Sequence, residues 1–112
     1  MKYKIVIVPF PFDDLSGQKV RPAVCLTDEI QPFGHIVLAF ITSRVLPTPS
    51  ATDLVIDALR PDFTATGLKV SSTVRLHRLM TVSSKIIKRE LGDLSIDQQT
   101  EIENRLRILF GM

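Results

Sequence analysis

Hydrophobic residues in this chain fall into short runs, separated by polar stretches that carry Pro and Gly. The runs are rich in β-branched and aromatic side chains, which favour the pleated, half-buried surface of a strand. They predict strands at Lys4–Val8, Ala23–Thr27, His35–Ile41, Asp53–Ile56 and Thr73–Arg78, with a further short one near Ile86–Glu90. The stretch His35–Ile41 is almost continuously apolar, as in a strand buried on both faces. In Val74-Arg75-Leu76-His77-Arg78 apolar and polar positions alternate. Side chains alternate across a strand, so Val74 and Leu76 face the core while Arg75 and His77 share the other face. Leu46–Thr52 contains Pro47, Pro49 and Ser50 and reads as a loop; Arg60–Gly67 reads as a second connection with room for a helical turn.

The pattern changes period only near the end. Ser95-Ile96-Asp97-Gln98 matches a capping box: the Ser95 hydroxyl accepts from a backbone N–H and Gln98 reaches back. Asp97 suits the positive end of a helix dipole. Ile102, Leu106, Leu109 and Phe110 recur at helical spacing and predict one face packed on the sheet, with Gly111 as the stop. This helix is scaffold or interface rather than chemistry. Several short strands and one terminal helix predict a small curled sheet or barrel, mainly β, rather than an alternating βαβ fold.

Composition narrows the setting. At 112 residues, 45% of them hydrophobic, the chain predicts one domain, 1–112, with a modest core and no disorder. Cys25 is the only cysteine, so an internal disulfide is excluded and a reducing compartment is expected. The first apolar run meets Pro9 and Pro11 without a small-residue cleavage site, unlike a signal peptide. No apolar stretch approaches the roughly 18 residues that span a bilayer. The expectation is a soluble cytoplasmic protein with no membrane partner. Net charge is only +2, but from Lys69 to Arg89 the ionised residues are all basic: Lys69, Arg75, Arg78, Lys85, Lys88 and Arg89. That asymmetry can form a basic face, or simply a solvated surface.

Val8–Thr27 reads as a strand, a polar loop at Asp13–Lys19 and a second strand, with Arg21 at the loop exit and Pro22 pinning the backbone behind it. The planar fork of an arginine donates two hydrogen bonds at once and suits phosphate, although Arg21 could instead pair with Asp13 or Asp14. Thr42, at the end of Ala39-Phe40-Ile41-Thr42-Ser43-Arg44, offers a hydroxyl donor with Ser43 beside it; the alternative is a Thr that closes a strand through its own backbone. Arg75 and His77 side by side can bind phosphate and transfer a proton, or lie idle on a polar face. His35, after Gly34, reads as a turn residue. Phe10 and Phe12 alternate with Pro9 and Pro11; either ring could stack on a nucleic-acid base, but packing at a barrel mouth or dimer contact is the simpler expectation, as for Phe33. No Cys/His/Asp set stands at metal-ligand spacing, so no metal or cofactor is expected.

Taken in order, Val8–Thr27, Ala39–Ser43, Gly67–Leu79 and Leu91-Gly92-Asp93-Leu94-Ser95 resemble the PemK/MazF family of toxins from toxin–antitoxin pairs, over nearly the whole chain. The resemblance implies a compact SH3-like barrel with a C-terminal helix, a homodimer, and metal-independent cleavage of single-stranded RNA through attack of the ribose 2′-OH on the adjacent phosphate. It places Arg21 on the family's catalytic Arg and Thr42 on its catalytic Thr or Ser. His77 stands where several relatives carry Asp or Glu, so its catalytic role is a departure from the pattern. Arg75, Ser43, Lys19, Lys69 and Arg78 would contact RNA, and a cognate antitoxin would lay a peptide segment over the same basic groove. The alternatives are a non-catalytic module of the same fold that binds RNA or protein, and a CcdB-like gyrase-poisoning toxin.

Overall fold

The computed structural model describes residues 1–10 and 19–112. Six strands and a terminal helix account for most of them: β1 (Lys4–Pro9), β2 (Val20–Cys25), β3 (His35–Thr42), β4 (Asp53–Ile56), β5 (Ser72–Ser83), β6 (Arg89–Asp93) and α1 (Ile96–Phe110). The strands form one antiparallel sheet in the order β4-β5-β3-β2-β1-β6. The sheet is curled, half a barrel, with one helix at its end, as the β-rich pattern predicts. No described helix is long and apolar enough to cross a membrane.

Both faces of the sheet carry core. Ile5, Val24, Ala39, Ile41, Val74 and Leu76 join Ile102 of α1 in one cluster. Val6, Val8, Ala23, Cys25, Ile36, Leu38 and Phe40 form another on the opposite face. This explains the unbroken apolar run of β3: its successive side chains feed two clusters rather than one core and solvent. Burial pushes the Cys25 thiol up to about 11, so it serves as packing rather than as a nucleophile.

The helix begins as its capping box requires. Ser95 Oγ accepts from the Gln98 N–H at 3.1 Å and Gln98 Oε1 accepts from the Ser95 N–H at 2.9 Å. Gly111 closes it with φ 69°, in the left-handed region. Ile102 is buried and Leu106 packs beside it. Phe110, assigned to the same face, is 60% exposed. Eight residues from Ile102 it has rotated about 80° around the helix, too far to reach the sheet. The Tyr3 hydroxyl donates to the Glu103 carboxylate and ties the N-terminus to α1. Desolvation, reinforced by Glu103, pushes that phenol up to about 12.

Predicted boundaries move at the sixth strand and at the start of the second, while the connection between them keeps its expected turn. The strand expected near Ile86–Glu90 is split: a 3₁₀ turn occupies Ser84–Ile86, started by Ser83 Oγ accepting from the Lys85 N–H, and β6 follows at Arg89–Asp93. The connection at residues 60–67 does hold a 3₁₀ turn, Thr64–Thr66, which packs against β6. A Cβ on Gly92 would stand 2.1 Å from the Ala65 carbonyl oxygen, and one on Gly67 2.1 Å from that of Leu91, so only glycine allows this approach. β2 starts at Val20, which places Arg21 inside the strand opposite Val8 rather than at a loop exit. Its ladder to β3 runs only from Ala23 to Cys25, so Pro22, which has no N–H to give, lies where β2 pairs with β1 alone.

The largest departure is in β5, which continues to Ser83, past the expected end at Arg78. Ile41 pairs with Val74 and Ala39 with Leu79, so between these points β5 spends three residues more than β3. An odd insertion reverses which face each later side chain points to. Val74 and Leu76 therefore pack in one core cluster, while Met80 and Val82 pack against the other.

Candidate functional site

The start of β2, the end of β3 and the bulge of β5 meet at one end of the sheet, and the sequence-derived site residues gather there in three groups. The polar loop expected at Asp13–Lys19, the ring of Phe12 and a pairing of Arg21 with Asp13 or Asp14 involve residues 11–18, outside the described residues. Lys19 is exposed, and its carbonyl accepts the Phe10 N–H at 3.0 Å, which extends the β1–β2 ladder one step beyond Pro9.

The first group lies on the face of Val8 and Ala23. Arg21 shares it by alternation along β2 and donates from Nη1 to the Val20 carbonyl at 3.1 Å. Its guanidinium carbon sits 5.5 Å from the centroid of the Phe10 ring. Arg78 approaches the same ring at 5.6 Å. Phe40 meets Phe10 edge-on at 5.0 Å. Thr42 follows two residues after Phe40 and so points the same way. Ala23 pairs with Phe40, and that register, carried on two residues, sets Arg21 across from Thr42. The β2–β3 ladder itself ends at Ala23 and Phe40, two residues short of this pair. Thr42 Oγ1 accepts from the Arg44 N–H at 3.4 Å, the backbone-closing role weighed for it, and a hydroxyl in that position still has a proton to donate.

The second group is on the adjoining strands. Thr42 pairs with Thr73, whose hydroxyl donates to the Arg44 carbonyl at 2.7 Å. Arg75, two residues on, projects from the same face and stands opposite Asp53 of β4. Arg75 Nε donates to Asp53 Oδ1 at 2.8 Å; the carboxylate is only 1% exposed and the arginine 28%. The Asp53 carboxylate also accepts the Ser50 N–H at 2.9 Å, and its backbone carbonyl accepts Arg105 Nε of α1 at 2.8 Å. Burial alone would raise the Asp53 pKa, but the Ser50 N–H and the Arg75 guanidinium outweigh it and hold the carboxyl below its usual range. Arg75 is thus anchored through Nε, which leaves the outer part of its fork for a ligand. His77 is exposed on the bulge, separated from Arg75 by the buried Leu76, as alternation predicts.

The third group is on the other face. Ile7 and Pro22 alternate with Val8 and Arg21, and they line a groove of about 410 Å³ with Leu68, Val70 and Leu91. Ser43, Lys69 and Arg89 edge it. The structure therefore unites Arg21, Thr42, Arg75 and Arg78 on one face and sets Ser43 and Lys69 apart from them. His35 begins β3 after Gly34 (φ 67°) and stacks on Phe33 at 5.5 Å, away from this end. Among the described residues no group of three or more His, Cys, Asp or Glu could hold a metal ion. In the sequence Asp53 is only the first residue of a strand and Arg89 only the last of the basic Lys69–Arg89 segment; the fold brings the one to Arg75 and the other to the groove. A carboxylate opening an apolar run, with an all-basic segment downstream, was the one available signal for the former.

Comparison with known proteins agrees with the fold. Solved structures with the same fold include the Mycobacterium tuberculosis toxin MazF-mt6, 23% identical, covering 97% of each chain at a TM-score of 0.74. MazF from Deinococcus radiodurans is 20% identical, covering 99% of this chain and 96% of its own at 0.71. An endoribonuclease in complex with its cognate antitoxin from a mycobacterial species is 10% identical, covering 100% of this chain and 95% of its own at 0.74. None of the curated proteins matches significantly. The model of the PemK-like, MazF-like toxins of type II toxin–antitoxin systems matches residues 1–110. With a match that runs from the first strand to the last turn of α1, the chain belongs to the PemK/MazF family of toxins.

Proposed function

We propose that this toxin is a metal-independent endoribonuclease that cuts single-stranded RNA. The observation that supports the reading is the register that sets Arg21 of β2 across from Thr42 of β3 just beyond the end of their ladder, with Arg75 next along the same face. RNA supplies its own nucleophile. The 2′-oxygen bonds to phosphorus, the bond from phosphorus to the 5′-oxygen breaks, and the products are a 2′,3′-cyclic phosphate and a 5′-OH. Arg21 binds the scissile phosphate and donates to the departing oxygen. Thr42 donates to a nonbridging oxygen as charge builds on it. Arg75, steadied by Asp53, binds phosphate, and His77 at the bulge takes the proton of the 2′-OH. Ser43, Lys19 and Lys69 extend the contact to flanking nucleotides. The protein works as a homodimer and is silenced by a cognate antitoxin; a mycobacterial neighbour of the same fold is itself an antitoxin complex.

Purified protein incubated with a long mixed-sequence RNA in EDTA tests this directly. Cleavage should persist and leave cyclic-phosphate and 5′-OH ends, whereas DNA, or RNA with a 2′-O-methyl group at the cut site, should resist. Equal cutting of the DNA analogue would refute the mechanism. RNA binding without cleavage would identify a non-catalytic module.

A further inference from the structure

Asp53 stands between two arginines, one from the sheet and one from the helix, and holds each with a different part of itself. Its carboxylate accepts Arg75 Nε at 2.8 Å, and its backbone carbonyl accepts Arg105 Nε of α1, also at 2.8 Å. The other carboxylate oxygen takes the Ser50 N–H at 2.9 Å, and the Asp53 N–H returns to the Ser50 carbonyl at 3.1 Å. β4 is a strand of four residues at the edge of the sheet, beside β5. The Thr52 carbonyl faces β5, where it accepts the Leu76 N–H, so the Asp53 carbonyl, one residue on, faces the outer edge. Arg105 takes it there. Ile102 sets the reach: it is buried in the same cluster as Leu54, next to Asp53, and Arg105 follows three residues later on that side of α1.

We infer that Arg105 is a positioning residue for Arg75, acting through Asp53, so that α1 sets the direction of a phosphate-binding arginine. This rests on the ribonuclease reading above, in which Arg75 binds RNA phosphate. The carboxylate and the carbonyl belong to one residue at the start of a short edge strand, so a shift of either moves the other. With Arg105 in place, the Asp53 backbone is held from α1 as well as from β5, and Arg75 Nε has a fixed acceptor. Without it, the outer edge of β4 loses its tie to the helix and the Arg75 fork loses its direction. A guanidinium recognises phosphate through a planar fork, so direction counts as well as charge. Arg105 does not touch RNA; its effect reaches the ligand only through Arg75.

Arg105→Met tests the link, since it keeps an aliphatic stem and helix propensity but removes the donor. Arg105→Gln, a shorter side chain, is read in parallel. Affinity for a 2′-O-methyl RNA oligonucleotide, which lacks the nucleophile, should fall about fivefold, the order of one hydrogen bond. Arg107 is exposed on the same helix and donates to the Asn104 side chain. Arg107→Met removes the same charge and should change the affinity less than about twofold, because exposed charges are screened. Arg105→Lys, which keeps a cationic donor, should recover most of the loss. In an Asp53→Asn background Arg75 already has a weaker, neutral acceptor, so Arg105→Met should cost less than in wild type. Equal losses in the two backgrounds, or from Arg105→Met and Arg107→Met, would overturn the inference. The Arg75 Nε–H resonance of isotope-labelled protein gives a second reading without RNA. It should shift and exchange faster with water in Arg105→Met; an unchanged resonance would also overturn the link. A perturbed resonance in a protein that neither binds nor cuts RNA would instead sink the ribonuclease reading and leave the positioning of Arg75 by Arg105 standing.

Discussion

Arg21 and Arg75 are both arginines within strands of one sheet, but the fold holds them differently. Arg21 rests against an aromatic ring that offers no formal charge. Arg75 gives its Nε to a buried carboxylate that also holds the Ser50 N–H, while the same residue's backbone carbonyl takes a bond from α1. A cation tied to a buried acid is part of the fold, because its loss strands a carboxylate away from water. The difference separates chemistry from scaffold: Arg21 should matter to rate, Arg75 to stability as well as binding.

The sharpest way to break that contrast is Arg21→Ala. It should lower the cleavage rate at least about hundredfold, as expected for a donor aimed at developing charge, with the protein still folded. A near-wild-type rate would move the chemistry to Arg75. Arg75→Met should do the converse, destabilising the protein by about 2–3 kcal/mol in urea unfolding, since Asp53 would be left buried without its cation. The pair also has a pH signature. The Asp53 carboxyl lies below its usual range in the fold, so its contribution is fully present above the unfolded value of about 3.9. It is lost as pH falls through the lower folded value. The stability gap between wild type and Asp53→Asn should therefore narrow from pH 7 toward pH 3, and a constant gap would show that the charge contributes nothing. Thr42→Ala should cost about tenfold in rate, less than Arg21→Ala because a neutral hydroxyl gives the weaker bond. The last test is at exposed His77. If its imidazole moves the proton, His77→Ala lowers the rate and His77→Asp recovers part of it. Equal rates for all three proteins would confine the chemistry to Arg21, Thr42 and Arg75.

Much of this molecule is written locally. The capping box at Ser95 and Gln98, the stop at Gly111, and the strands at β1, β3 and β4 follow from residue types and spacing within a few positions, because caps, turns and alternation are short-range physics. The order of segments around Arg21-Pro22 and Ile41-Thr42-Ser43 identified the family by sequence alone, and with it the expected site. What the chain could not disclose were relations between distant strands. Strict alternation would bury Arg78; only pairing with β3 creates the insertion in β5 that returns it to the face of Arg21. The bond from Arg75 to Asp53 spans 22 residues and depends on β4 lying at the sheet edge beside β5. Ser43 and Thr42, adjacent in sequence, serve opposite faces. Local propensity determined which segments are strands and where the helix is capped, whereas sheet register, a non-local property, decided which cations meet.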